Sequence, residues 1–318
     1  MRVGLAGCGA IGRKHAGNLR GRADLLFFNR TRARAEEFAR EFGGEVCATW
    51  EELLERADGV VIATPPERHE AETVAALASG AAAVLVEKPL CHEPDQLSRI
   101  EEVAARHPGT TLMVAENYYY KPSLLKLKQH ISSGDLGRIE RIEVKKLKQQ
   151  KASGWRAAHG SLLEGGVHFV AMVADLLDAA AGSECGMPRL LGAEFPGRGS
   201  GEVERHAVVA LEAPGGPRAE IRYAWNVPSP TQGVFQHSRI AGSEGGVVFE
   251  SNGIYHCVRS KRRRALEFPG FRDMMGYAGM MEDFLACLED RGRSPYSNLA
   301  RARRDLRIVF EAYRSLEE

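Results

Sequence analysis

The sequence predicts an α/β protein: an N-terminal Rossmann-type doubly wound parallel sheet, then an α+β domain on a largely antiparallel open sheet. Three observations carry this. A glycine motif, Gly7-x-Gly9-x-x-Gly12, lies between an apolar strand and a helix. Short apolar runs then alternate with helical stretches through the first third, the pattern of parallel strands covered on both faces. Beyond residue 120 the texture shifts to alternating apolar and charged residues, as in "RIERIEVKKLKQQ", which suits a sheet with one wet face.

The elements follow in order. "RVGLAG" is a strand and Ile11 to Leu19 a helix. "DLLFFN" is a second strand, followed by the charged helix "RARAEEFAREFG". "GVVIAT" and "AAVLVE" are strands on either side of the helix "EAETVAALASG". "PDQLSRIEEVAARH" is a helix and "TLMVAEN" a strand. After "RIERIEVKKLKQQ" comes one helix, Ser161 to Leu177. The strand-like pieces "LLGAEFP", "ERHAVVALEA", "RAEIRYAWNV", "VFQHSRIAG", "GGVVFES" and "GIYHCVRS" then follow, separated by turns such as "APGGP". "RSKRRR" reads as a surface hairpin turn, and two helices, near 273–290 and 297–316, close the chain. The division is 1–120 for dinucleotide binding and 121–318 for substrate.

A length of 318 residues allows two such domains. With 44% hydrophobic and 27% charged residues and a net charge of +1, the chain is globular, with no global field toward nucleic acid or membrane. No basic, apolar leader and no apolar run of about 20 residues is seen, so a cytoplasmic location is expected. The six cysteines lie far apart with no CxxC pair, and are expected to be reduced and mostly buried. Cys91-His92 lacks a second ligand pair, so no metal is expected.

The glycines have a physical reason. The first permits the tight turn, the second lets a pyrophosphate approach the backbone, and the third lets helix and strand pack closely. The loop, with Ala10 and Ile11 opening the helix, then offers N–H groups and a partial positive charge to phosphate. An NAD site usually ends its second strand in Asp or Glu, which accepts from the ribose hydroxyls. Here that position is Asn29, followed by Arg30 and Thr31. No carboxylate repels a 2′-phosphate and Arg30 can pair with one, so NADP is expected, with NAD the alternative. Thr64-Pro65 and Glu87-Lys88-Pro89 end two further strands at the carboxyl edge, where open α/β sheets bind ligands; a cis bond before Pro89 is possible. His69 follows the Thr-Pro-Pro turn and is placed near the cofactor. Glu164 and His168 are four apart and share a helix face.

With "GCGAIGRKH", "ATPPERH", "VEKPL" and "GSLLEGGVH" in this order and spacing, the chain resembles the glucose–fructose oxidoreductase / inositol dehydrogenase / rhizopine-catabolism (Gfo/Idh/MocA) family over nearly its whole length. The resemblance implies hydride exchange between NAD(P) and a carbinol or ketone carbon of a sugar, sugar acid, nucleotide sugar or cyclitol. It implies a catalytic role for Lys88, places Glu87 near the cofactor ribose, and puts Trp155 and Arg156 near substrate. It also implies a C-terminal sheet that serves substrate binding and assembly into a homodimer or homotetramer. His168 can take or give the proton on the reacting oxygen, the role histidine most often fills. Lys88 can stabilise charge on that oxygen. Glu164 either orients His168 or binds a neighbouring hydroxyl. Asn117 and Tyr118 fall in a segment that is usually N-x-R-F-x-P; Tyr119 replaces its arginine, Glu164 replaces the usual Asp, and Ala171 stands where Asp is common. The tyrosines either stack on a sugar face or pack a boundary. Lys145, Lys146, Lys148 and Lys151 either solvate a sheet face or draw an anionic substrate. Two rival functions share the fold: an imine or tetrapyrrole-type reductase, and a dinucleotide sensor without turnover. Lys88 with His168 suits an alcohol oxygen and disfavours the first; the set completed by Glu164 disfavours the second. No nucleic-acid or membrane partner is expected.

Overall fold

The structure, a computed structural model, describes residues 1–151 and 157–316. The chain forms two compact units: Met1–Glu116 with Tyr277–Ala302, and Asn117–Gly276 with Arg303–Glu318.

The first unit begins β1 (Arg2–Ala6), α1 (Ala10–Leu19), β2 (Asp24–Phe28), α2 (Arg32–Phe42), β3 (Glu45–Val46) and α3 (Trp50–Arg56). It continues β4 (Gly59–Ile62), α4 (His69–Ala78), β5 (Ala83–Val86), α5 (Pro94–Arg106) and β6 (Thr111–Val114). All six strands are parallel, in the order β3-β2-β1-β4-β5-β6. The order reverses beside β1, so the glycine loop leaves the sheet at its topological switch point. Every residue of β4 and β5 is buried, as expected of strands covered on both faces. The pair β3 and α3 is absent from the strand–helix reading above. Its signal is local: the Thr49 hydroxyl accepts from Glu52 N–H at 3.1 Å, and the Glu52 carboxylate accepts from Ala48 N–H at 2.6 Å.

The second unit holds α6 (Pro122–Ser132), β7 (Ile139–Leu147), one π-helical turn (Leu162–Gly166) and α7 (Val167–Ala181). It continues β8 (Arg189–Glu194), β9 (His206–Glu212), β10 (Arg218–Ala224), β11 (His237–Gly242), β12 (Gly245–Glu250), β13 (His256–Ser260) and β14 (Arg264–Glu267). The sheet runs β14-β13-β12-β11-β7-β10-β9-β8 and is antiparallel except where β10 lies parallel to β7. Residues 261–263 make the hairpin turn between β13 and β14, where Ser260 N–H donates to Arg263 C=O at 2.8 Å. The chain ends with α8 (Tyr277–Glu289) and α9 (Leu299–Arg314). α8 packs on α1 and β5, so residues 277–302 count with the first unit although they lie far along the chain. α7 packs on α6, β7 and β10, and all but one of its residues from Val167 to Asp178 are buried.

A buried polar network ties α9 to α7 within the second unit. Arg304 donates to Asp178 (2.5 Å), to Asp305 (3.0 Å) and to the Tyr119 hydroxyl (2.8 Å). Tyr119 in turn donates to Asp305. Asp178 also accepts from the backbone of Cys185 (3.0 Å) and Gly186 (2.8 Å). Arg304→Met leaves two buried carboxylates without their cation, and should lower the unfolding free energy by about 3–5 kcal/mol in urea denaturation. A loss below about 1 kcal/mol would mean that the carboxylates are satisfied without the guanidinium.

Candidate active site

The glycine loop is shaped by backbone contacts. Gly7 has φ +101°, and a Cβ there would strike the Ala63 carbonyl carbon (2.5 Å) and Thr64 N (2.7 Å). A Cβ at Gly12 would strike the Gly7 carbonyl oxygen. At Gly9 it would meet nothing within 4 Å, so the second glycine faces open space. Gly9 caps α1 without a side-chain bond, and no acid lies in the helix's first turn. A tight turn, an open backbone face and an uncapped helix start together fit a dinucleotide pyrophosphate. Ala10 and Ile11 open this first turn.

Asn29 braces the loop. Its side-chain oxygen accepts from Cys8 N–H at 3.0 Å, and its amide donates to Thr31 C=O at 3.0 Å. Arg30 and Thr31 are exposed beyond β2. Arg30 forms no ion pair with a described residue, whereas Arg32 pairs with Glu36 at 3.0 Å. The Thr31 hydroxyl is not used to cap α2. Burial pushes the Cys8 thiol up to about 12, so it is an inert neighbour of the loop.

The next strand ends carry a second set of contacts. The Thr64 hydroxyl donates to Glu72, which also pairs with Arg68 at 2.6 Å. Pro65 is exposed beside it. His69 is buried, with Nδ1 at 2.7 Å from Pro89 C=O and Nε2 at 2.9 Å from Thr64 C=O. Its ring links the two loops. Glu87 is buried, with Oε1 at 2.7 Å from His15 Nε2, while Oε2 accepts from Lys88 N–H at 3.2 Å. Burial by itself pushes the Glu87 carboxyl up. The His15 hydrogen bond and the charges of His15, Lys88 and His69 outweigh it, and the group sits below its usual range. Nothing in the sequence marked His15, in the middle of α1, as the partner of Glu87. Lys88 is half-buried, and its bond to Pro89 is cis.

In the second unit the π-turn and α7 carry the acid and the histidine. The start of the turn is held by Glu204, which accepts from Leu162 N–H (2.8 Å), the Ser161 hydroxyl (2.7 Å) and the Tyr313 hydroxyl (2.7 Å). A carboxylate at a helix start is favourable to the helix dipole. A Cβ on Gly165 would collide with the Tyr223 ring, so glycine there lets the turn lie against β10. Glu164 is buried and His168 half-buried. The His168 ring stacks on Tyr118 at 4.6 Å and 12°, and Tyr118 meets Phe169 edge-on at 5.4 Å. Lys121, also buried, places Nζ 4.1 Å from the Tyr118 ring centre and donates to Asn252 C=O at 2.7 Å. Tyr118 thus fixes the plane of the imidazole.

Asn117 is buried and donates to Met275 C=O at 2.6 Å, a backbone tie. Tyr119 belongs to the Arg304 network, not to a face a sugar can reach. Lys146 points inward and donates to Gly233 C=O at 2.6 Å, while Lys145 is exposed on the opposite side of β7. The cationic run therefore divides between two faces, as strand alternation requires. Trp155 and Arg156 lie outside the described residues. None of the six cysteines, all of them among the described residues, forms a disulfide, and four are buried. No helix among the described residues is long and apolar enough to cross a membrane.

Comparison with known proteins adds the following. Residues 1–116 match the family described as "Oxidoreductase family, NAD-binding Rossmann fold", and residues 124–248 match "GFO/IDH/MocA C-terminal domain". The glucose-6-phosphate 3-dehydrogenase of Bacillus subtilis is 30% identical over 185 residues, 54% of this chain and 52% of that protein. An inositol 2-dehydrogenase of Rhizobium meliloti is 29% identical over 150 residues, 45% of this chain and 44% of that protein. The chain thus spans about half the length of these curated relatives. A 3-ketoreductase from Actinomadura kijaniata, solved with NADP and TDP-benzene, superposes with TM-score 0.79 at 20% identity, covering 98% of this chain and 96% of that one. At that identity the likeness shows a shared fold.

The Glu87–His15 contact generates a prediction with a definite sign. The folded carboxyl lies below its ordinary value of 4.5, so its stabilisation is complete above that value and is lost as pH falls through the folded pKa. Glu87→Gln should cost about 1–3 kcal/mol at pH 7. Thermal midpoints of the two proteins should converge as the pH is lowered below 4.5. A gap that stays constant into acid would show that the carboxylate charge is not its source.

Proposed function

We propose that this chain, which belongs to the Gfo/Idh/MocA family of oxidoreductases, exchanges a hydride between NADP(H) and a hydroxyl-bearing or keto carbon of a sugar, sugar acid, nucleotide sugar or cyclitol. The observation that carries this reading is the glycine loop, with its open face at Gly9 and its uncapped helix start at the switch point of a parallel sheet. The names of the relatives, a sugar-phosphate and an inositol dehydrogenase, support the substrate class.

The backbone N–H groups at the start of α1 hold the pyrophosphate. Arg30, exposed and outside any ion pair with a described residue, meets the 2′-phosphate. Asn29 contributes by lacking a negative charge; its amide is engaged in bracing the loop. On the substrate side, His168 accepts the hydroxyl proton during oxidation and returns it during reduction. Tyr118 holds the imidazole plane while this happens. Lys88 stabilises negative charge on the same oxygen. Glu164 orients His168 or binds a neighbouring hydroxyl. Glu87, Thr64 and His69 shape the strand ends from which Lys88 emerges.

Fluorescence titration of the purified protein with NADPH and NADH tests the cofactor reading. NADPH should bind more tightly, and Arg30→Ala should weaken NADPH while leaving NADH nearly unchanged. Tighter NADH binding, or indifference to Arg30→Ala, would return the ribose hydroxyls to Asn29. In turnover assays across sugars and cyclitols, His168→Ala should lower kcat by about 10²–10⁴-fold with NADPH affinity kept. Unchanged kcat would remove His168 from proton transfer.

A further inference from the structure

One side-chain cluster in the second unit lies outside all of this chemistry. His130 is in the last turn of α6, His256 opens β13 and Glu267 closes β14. The spacings of 126 and 11 residues match no ligand motif, and the sequence reading above expects no metal. The fold brings the three together. His256 and Glu267 are directly opposed partners in the β13–β14 ladder, so their side chains leave the same face of the hairpin. His130 reaches them from α6, with Nε2 at 2.8 Å from Glu267 Oε2. The two imidazole centres lie 6.2 Å apart at 66°, and one ligand atom from each of the three residues falls within 4.8 Å of the others.

We propose that His130, His256 and Glu267 form a binding site for a zinc-class divalent cation that clamps the β13–β14 hairpin to α6. Two imidazoles and a carboxylate make a three-protein-ligand set for such an ion, with a fourth position left to solvent. A tetrahedral zinc would set its ligand atoms about 3.3 Å apart, from bonds of about 2.0 Å, so the three side chains need only small rotations to close on it. The decisive observation is His256. It is fully buried, and neither ring nitrogen has a hydrogen-bond partner among the described residues. A neutral imidazole carries one donor and one acceptor, and leaving both unmet in the interior is costly. The His130–Glu267 contact by itself does not account for this ring, whereas a cation bound between the three gives one of its nitrogens a ligand bond. Glu267 is prepared for the role: Arg263 holds its Oε1, which leaves Oε2 for the site. The opposing charges are Arg263 and Lys126, both balanced against the single carboxylate, and they set the affinity below that of an all-anionic site.

The test uses the full chain, dialysed against chelator and titrated with zinc ion against a chromogenic competitor at neutral pH. One zinc should bind per chain, and cobalt(II) should give the visible absorption of a four-coordinate nitrogen and oxygen site. Glu267→Gln sits at the partly exposed end of the cluster, and metal-free melting curves establish that it folds. It should weaken zinc binding at least about tenfold and abolish the zinc-induced rise in thermal midpoint. His256→Gln should do the same. Cys257→Ser, which removes the exposed thiol next to His256, should leave binding intact. The proposal is overturned if no saturable site is found, if both ligand variants bind zinc as the parent does, or if Cys257→Ser abolishes binding.

Discussion

Parallel strands cannot be joined by a tight turn, and that constraint places the chemistry of the first unit. Each strand must run out at its carboxyl edge, cross the sheet through a helix and return. The loops after β1, β4 and β5 therefore emerge along one edge, and with them Gly7–Gly12, Thr64–Pro65 and Glu87–Pro89. Because the strand order reverses beside β1, the glycine loop has space in front of it, and the Cβ that Gly9 lacks would meet nothing. The side chains around that edge serve mainly to hold loops in place. His69 spans Thr64 and Pro89, His15 grips Glu87, and Asn29 joins the end of β2 to Cys8. Such bracing holds the loop that carries Lys88 against the rigid sheet.

The second unit solves the same problem with buried carboxylates. Glu204 collects three donors at the start of the π-turn, and Asp178 collects Arg304 with two backbone N–H groups near the end of α7. The helix that carries His168 is thus held at its start by Glu204 and near its end by Arg304 on its own Asp178, both partners distant in the chain. Within it the imidazole is held a third way, by the face of Tyr118, with Lys121 also against that ring. A π-turn inside an otherwise regular helix is a frequent mark of a functional position, since it re-aims side chains at some cost in hydrogen bonding. Here it spans Glu164 and ends just before His168.

Much of the first unit is legible in the sequence. Strand and helix order in the first third follows from unbroken apolar runs and the glycine motif, and those signals are local. Residues read as ligand contacts were less legible. Tyr119 carries a polar group after a strand end, as a substrate contact does, yet it is tied to Arg304 and Asp305. Composition cannot separate these uses, because an amide or phenol satisfies a buried partner as readily as a ligand. The lysine run on β7 shows the same limit: alternation sends Lys145 outward and Lys146 in, where Gly233 C=O and the Asn252 side-chain oxygen accept from it.

The sequence by itself determined the parallel sheet, the glycine loop at its first turn, the absence of a carboxylate at Asn29 and the placement of Glu164 and His168 on one helical stretch. Each depends on residues within about one turn or one strand of each other, where periodicity and backbone sterics suffice. Tertiary structure alone decided which polar groups are engaged and by what: His15 with Glu87, Tyr119 with Arg304, and His130 with His256 and Glu267. Those partners are separated by 72, 185 and 126 residues. Burial makes an unpartnered polar group costly, but which partner it meets is set by how helices and sheets pack, and that information is not carried by any local stretch of chain.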